Sequence, residues 1–341
     1  MIISRTPFRV SFFGGGTDYP EWYLKEGGAV LSTTIDKYCY LSCRVLPPFF
    51  NIKHRIVWSH IETVSTIAEI LHPAVREGLK YLEFDDTIGL EIHYQGDLPA
   101  RAGMGSSSAF AVGLIKALTA LRGQMISKRD LAMKAIELES KVLKEHVGAQ
   151  DQTAAAYGGF NLIHFLQNGN IIVEPVTVTA TRLRDLESRL MMFYTGTNRL
   201  APKIAADLVS NMEAKSSVLH QMRSFVDDAL SILSTDSDLD DFGRLLHETW
   251  LLKRSLSSMI TNPTVDHIYQ IGMEHGALGG KLLGAGFSGF MIFYVPLERQ
   301  SEVIEALFSY LHVSFKFESE GSVLIHYDSS DNIPDHFIYH G

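Results

Sequence analysis

The chain has 341 residues, 46% hydrophobic and 20% charged, an ordinary globular composition that excludes a disordered or fibrous protein. Its 30 Lys and Arg against 39 Asp and Glu leave a net charge of −9, with no basic stripe to follow a nucleic-acid phosphate track. No apolar run approaches the roughly 18 residues of a membrane span. The start of the chain, with Arg5, Pro7 and Arg9, has no apolar leader core, so a cytoplasmic protein of two domains is expected.

Residues 1–13 alternate β-branched and aromatic side chains and stop at Gly14-Gly15-Gly16, a strand followed by a turn. Residues 29–46 have strand character up to Pro47-Pro48, and Cys39 and Cys43 within them are expected as packed core thiols. The strand pattern continues over 55–60; residues 66–82 have helical spacing interrupted at Pro73, and 87–94 alternate again. The spacing predicts a helix over 106–121, with Phe110, Leu114, Ile115 and Leu118 on one face, and a second over 128–144 capped by Ser127. Residues 149–157 read as a short helix ended by Gly158-Gly159. The runs 160–165 and 171–178 then bracket Asn168-Gly169 as a hairpin. The charged stretch 181–188 is expected to mark the boundary between domains of residues 1–180 and 181–341. Beyond it come a strand over 190–194 and helices over 201–233 and 241–259 around the acidic loop 235–240. A closing layer of Gly-rich turns, strands and one helix over 297–311 completes a mixed α/β (α+β) chain.

Three glycine clusters compete as phosphate loops. Gly284-Ala285-Gly286-Phe287-Ser288-Gly289 has the dinucleotide spacing G-x-G-x-x-G, but the strand-like residues 290–295 follow it where that fingerprint requires a helix. Gly103-Met104-Gly105-Ser106-Ser107-Ser108 is better placed, because it opens a helix whose first-turn N–H groups and positive dipole end suit a phosphate. A serine-rich N-cap would read the same way. No Gly-Lys-Ser/Thr ending exists, which excludes a P-loop. The third cluster, Gly14-Gly15-Gly16-Thr17-Asp18, ends a strand and offers one carboxylate. His72, His93, His146 and His275 lack metal-ligand spacing.

In this order, Pro7-Phe8-Arg9-Val10 with Thr17-Asp18-Tyr19, the Gly-Met-Gly-Ser-Ser loop, and Lys281-Leu282-Leu283-Gly284 through Gly289 resemble the three motifs of the GHMP small-molecule kinases. The resemblance covers essentially the whole chain. It implies an N-terminal ribosomal protein S5 domain 2-like domain, a C-terminal ferredoxin-like α+β domain, and an active site in the cleft between them. It also implies ATP and Mg²⁺ as cofactors and phosphoryl transfer to a sugar hydroxyl.

By the same resemblance Asp151, in Gly148-Ala149-Gln150-Asp151-Gln152, is the catalytic acid and Arg9 the basic residue facing the transferred phosphate. Gly103, Met104, Gly105, Ser106, Ser107 and Ser108 hold the nucleotide, and Ser107 (or Ser106) with Glu139 ligates magnesium. Gly15, Gly16, Thr17 and Asp18 lie at the sugar, and Gly286 shapes the site through its loop. Galactokinases carry Glu where this chain has Gly15, so space opens and a repulsive charge disappears, which suits a longer, anionic sugar.

With Tyr194 to Leu200, the triple glycine is similar to heptose 7-phosphate kinases, which act on the anomeric hydroxyl; Arg199, Lys203 and Arg101 are then expected at the distal phosphate. A kinase of an unphosphorylated sugar and a catalytically silent sugar sensor are the alternatives. The expected partners are ATP and a small sugar phosphate, with neither nucleic acid nor membrane, for a monomer or homodimer.

Overall fold

The computed structural model describes residues 1–47, 49, 52–100, 102–196 and 201–328. It opens with β1 (Ile2–Phe13), a short helix α1 (Pro20–Glu26) and the long strand β2 (Gly28–Val45). A ribbon of β3 (His54–Val57) and β4 (Ile61–Val64) leads to α2 (Pro73–Tyr81) and β5 (Leu90–Gly96). Next come α3 (Ser106–Leu121), α4 (Lys128–Glu137) and α5 (Gln150–Tyr157), followed by the hairpin β6 (Phe160–Phe165) and β7 (Ile171–Pro175). The strand β2 organises this half. It pairs with β1 along one edge and with β6 and then β5 along the other, all antiparallel, while β3 joins β5 in parallel. Helix α3 packs on β1 and β2; thirteen of its residues are buried, so it is an internal helix, apolar nearly all round.

The second half contains α6 (Ala180–Ser188), β8 (Leu190–Tyr194), α7 (Ala201–Asn211), α8 (Ser216–Ser234), α9 (Asp240–Leu256) and α10 (Pro263–Glu274). Then come β9 (Gly279–Leu282), β10 (Phe290–Tyr294), α11 (Gln300–Ala306) and β11 (Leu311–His312). Its sheet runs β11-β8-β10-β9, which is the 4-1-3-2 order of a ferredoxin-like layer. Helix α8 reaches across to β1 and β2, and the ring of Phe12 meets that of Phe242 at 5.4 Å, so one apolar core runs beneath both halves.

Several expectations change in detail. The segment 128–144 is not one α-helix: α4 ends at Glu137 and a π turn, Leu138–Val142, follows, which carries Glu139 inward. The segment 201–233 divides because the side chains of Ser210 and Asn211 both donate to the Asp207 carbonyl and end α7. The charged stretch expected at the boundary is the helix α6, capped by Thr179 and tied by the Arg182 guanidinium to the carbonyls of Ile232 and Ser237. Helix α11 is shorter than the expected 297–311, because a 3₁₀ turn precedes it and β11 follows. The chain also returns across the expected 180/181 division: β12 (Phe317–Glu318) pairs with β2 and β13 (Val323–His326) with β1.

Candidate active site

Helix α3 begins at Gly105, which sits in the left-handed region at φ 71 and gives no side-chain cap to the first turn. A β-carbon at Gly105 would lie 3.2 Å from Asp151 Oδ2 and 3.4 Å from Arg9 Cγ, so only glycine lets this turn seat against that pair. Arg9, 4% exposed on β1, grips Asp151 as a fork, with Nε to Oδ1 at 2.8 Å and Nη2 to Oδ2 at 2.7 Å. Its Nη1 donates to the Gly103 carbonyl at 2.7 Å, and its backbone N–H reaches the carbonyl of buried Met104. One guanidinium thus fixes the orientation of both the acid and the loop.

On the other flank of that turn lies Glu139, fully buried. It accepts from Ser107 Oγ at 2.6 Å, Ser108 Oγ at 2.7 Å and Gln152 Nε2 at 2.6 Å. Burial pushes its carboxyl up to about 7, against the pull of these three donors. All three partners are neutral.

Asp18 closes the third side, 2% exposed, accepting from the Gly16 N–H at 2.9 Å and the Gln150 N–H at 3.3 Å. Burial, and then the charge of Asp151, raise it to about 6. Thr17 turns inward instead: its hydroxyl bonds the carbonyls of Gly14 and Ala29 and is used up in holding the loop. Gly15 leaves an open position facing Ser11 and Gln150.

Two lysines given no role in the sequence also belong to the site. Lys253, in the last turn of α9, donates to the carbonyls of Leu282 at 2.8 Å and Gly284 at 2.6 Å. Burial, with Arg9 adding repulsion, lowers its ammonium to about 7. Lys281, 3% exposed on β9, donates to the Phe12 carbonyl of β1 at 2.8 Å; burial, then Lys253 and Arg9, hold it well below its ordinary value. With Arg9 they put three basic side chains near Asp151 and Asp18, Lys253 by the first and Lys281 by the second. A lysine within the apolar run Leu278–Leu283 was the available signal for the second; Lys253 gave none.

The third glycine loop backs onto the first. A β-carbon at Gly284 would fall 2.4 Å from the Gly103 Cα, so two backbones meet where side chains would not fit. Gly286 packs against Ile260, and the strand β10, not a helix, follows this loop in the chain. Lys203 is exposed on α7. Arg101 and Arg199 lie outside the described residues. Among the described residues no cluster of three His, Cys, Asp or Glu side chains could hold a metal, and no helix is long and apolar enough to cross a membrane.

The GHMP kinases N terminal domain matches residues 65–159 and the GHMP kinases C terminal domain residues 228–312, together just over half of the chain. The D-glycero-alpha-D-manno-heptose 7-phosphate kinase of Campylobacter jejuni is 28% identical over 325 residues, covering 90% of this chain and 93% of that one. The galactokinase of Pyrococcus furiosus is 22% identical, covering 94% and 96%. A solved structure described as a D-glycero-D-manno-heptose 1-phosphate kinase from Bacteroides thetaiotaomicron shares the fold, with a TM-score of 0.78 at 24% identity over 96% of this chain and 100% of that one. An acid held at a helix N-terminus, two abutting glycine loops and both domain matches lead to one conclusion: the chain belongs to the GHMP kinase family and is a phosphotransferase that acts on a hydroxyl acceptor.

Proposed function

We propose that the chain passes the γ-phosphate of ATP to the anomeric hydroxyl of D-glycero-D-manno-heptose 7-phosphate, giving the 1,7-bisphosphate. The observation that carries the reading is the Arg9–Asp151 fork seated against Gly105, which sets an acceptor acid beside the positive end of α3. The sugar oxygen attacks the γ-phosphorus, the bond to the departing ADP oxygen breaks, and the hydroxyl proton goes to Asp151, or is held in line by it. Arg9 faces the charge that spreads over the transferred group.

The α- and β-phosphates lie over the first turn of α3, against the N–H groups and hydroxyls of residues 105–108. Glu139 with Ser107 fits a hard divalent ion: the donors are all oxygen, and a fully buried carboxylate among neutral partners lacks a positive charge. Magnesium held by Glu139 and Ser107 would supply positive charge to the phosphates.

The choice of sugar rests on the similarity to the Campylobacter protein and on Gly15, which leaves room for a longer acceptor beside Asp18. Lys203, Arg199 and Arg101 are the proposed partners of the distal phosphate, and residues 1–180 and 181–341 the proposed functional halves. Incubating purified protein with MgATP and a panel of sugars tests this. The expected result is ADP release fastest with heptose 7-phosphate and a product phosphorus signal at C1. Free galactose, fucose or a uronic acid turned over as well would overturn the substrate, and no release with any sugar would overturn the sugar-kinase reading.

A further inference from the structure

We infer that the space beside Gly15 is a hydroxyl-recognition pocket, formed by the Ser11 hydroxyl and the Gln150 amide, that receives a neutral hydroxyl of the acceptor and not its phosphate. The inference deepens the sugar-kinase reading and rests on it.

The loop does not need glycine at position 15 for its backbone. Gly14 and Gly16 have φ 80 and 102, in the region that favours glycine, whereas Gly15 is not among the positive-φ residues. A β-carbon built there meets nothing closer than Gln150 Nε2 and Ser11 Oγ, each at 3.7 Å, which is ordinary contact. The missing side chain is therefore not excluded by strain or crowding; what it leaves is room, bounded by two polar groups.

Each bounding residue carries a buried polar atom without a hydrogen-bond partner among the described residues. Ser11 Oγ, in a residue 5% exposed, has no hydrogen bond, and neither has Gln150 Oε1. Ser32 stands directly opposite Ser11 in the β1–β2 ladder, on the same face of the sheet, and its buried hydroxyl is a third such atom. Unpaired buried polar atoms are rare in native proteins, and three on neighbouring elements call for a polar occupant.

The chemistry of the lining selects that occupant. The Gln150 carbonyl can only accept, its NH₂ can only donate, and a serine hydroxyl does either. A sugar hydroxyl satisfies such a set, donating to one atom and accepting from another. A phosphate dianion has no proton for the carbonyl, and no cation lies within 4 Å of the Gly15 position. The nearest charge along the loop is Asp18, bonded to Gly16 and Gln150, which would repel it. The distal phosphate accordingly points away from Gly15.

The test uses the full chain, the sugar that the substrate panel selects, and its monodeoxy analogues. Ser11→Ala and Gln150→Leu are each expected to raise KM for the sugar roughly three- to tenfold, leaving kcat and the KM for MgATP in place. The loss should be equal for the phosphorylated and free forms of one sugar. For one deoxy analogue the loss should vanish, because variant and analogue remove the same bond. Without ligand, Ser11→Ala should melt at or above the wild-type temperature, since it deletes an unpaired group. Additive losses with every deoxy analogue, or an unchanged KM, would mean that the orphan atoms hold a trapped water, and would overturn the pocket while the kinase stands. If no sugar is turned over, the sugar-induced rise in melting temperature replaces KM: a rise that Ser11→Ala abolishes keeps the pocket, and no rise with any sugar overturns it.

Discussion

Asp151 and Gln152 are neighbours on α5, yet they serve two different electrostatic settings. Asp151 turns toward Arg9, with Lys253 nearby, so its negative charge has a cation close by. Gln152 turns the other way and helps two serines hold Glu139, a carboxylate fully buried with neutral donors alone. Burial pushes the Glu139 carboxyl up to about 7, and neutral hydrogen bonds offset that less than an adjacent charge would. The flank that already owns a cation suits the acceptor hydroxyl and the group in transfer. The flank that lacks one suits a cation brought in with the nucleotide.

The sharpest way to break this contrast is Asp151→Asn. It leaves the side chain's shape and the phosphate turn in place but removes the acceptor and half of the fork. The expected loss is about 10²–10⁴-fold in kcat, with nucleotide binding retained. Near-normal turnover would remove Asp151 from the chemistry and leave Arg9–Asp151 as a structural ion pair.

Glu139→Gln tests the other flank, with an expected loss on the order of a hundredfold in kcat and a raised magnesium requirement. Its pH signature differs from that of any cation-paired acid. The folded value, about 7, lies above the ordinary 4.5, so the protonated form is favoured by folding. The stabilisation is fully present below 4.5 and lost as pH rises to 7, a change on the order of 3 kcal/mol. Asp18, raised to about 6, contributes in the same direction, so the comparison with Glu139→Gln isolates the one group. Wild-type protein without magnesium should therefore melt lower at pH 8 than at pH 5, magnesium with nucleotide should restore it, and the variant should show a flatter profile. Equal pH profiles for wild type and variant would show that Glu139 does not carry the difference.

Much of the scaffold was legible because its signals are local. The helix over 106–121 has the bounds its apolar spacing predicts, and Asn168-Gly169 turns the hairpin between β6 and β7. Arg9 and Asp151 came from the resemblance to the GHMP kinases, and Gly105 from a glycine loop that opens a helix. What stayed hidden depends on contacts distant in sequence. Lys253 in a last helical turn reads as a charge complementing the dipole, and only the packing of the third glycine loop turns it inward to two carbonyls. Lys281 is buried because β9 meets Phe12, 269 positions away. The π turn that brings Glu139 inward and the return of β13 to β1 carry no periodicity to read.

Lys253→Met asks whether a basic group near Asp151 matters beyond Arg9. The substitution keeps most of the side chain's length and deletes two bonds to the loop, so kcat/KM should fall roughly 10- to 100-fold. Lys253→Arg, which keeps the charge, should recover part of it. Equal losses in both variants would assign Lys253 to packing alone, and the contrast between the flanks would then rest on Arg9.

The smallest effect is expected at Lys203, and it bears on where the distal phosphate goes. The side chain is exposed on α7, so any pairing with a phosphate is screened by solvent and worth little beside a buried contact. Lys203→Met should raise KM for the phosphorylated sugar by a factor of roughly three to five, leave KM for the free sugar unchanged, and lose its effect in high salt. That difference between two forms of one sugar separates a distal anion contact from a general surface charge. Equal KM values for wild type and variant, with phosphorylated sugar at low salt, would take Lys203 out of the substrate site.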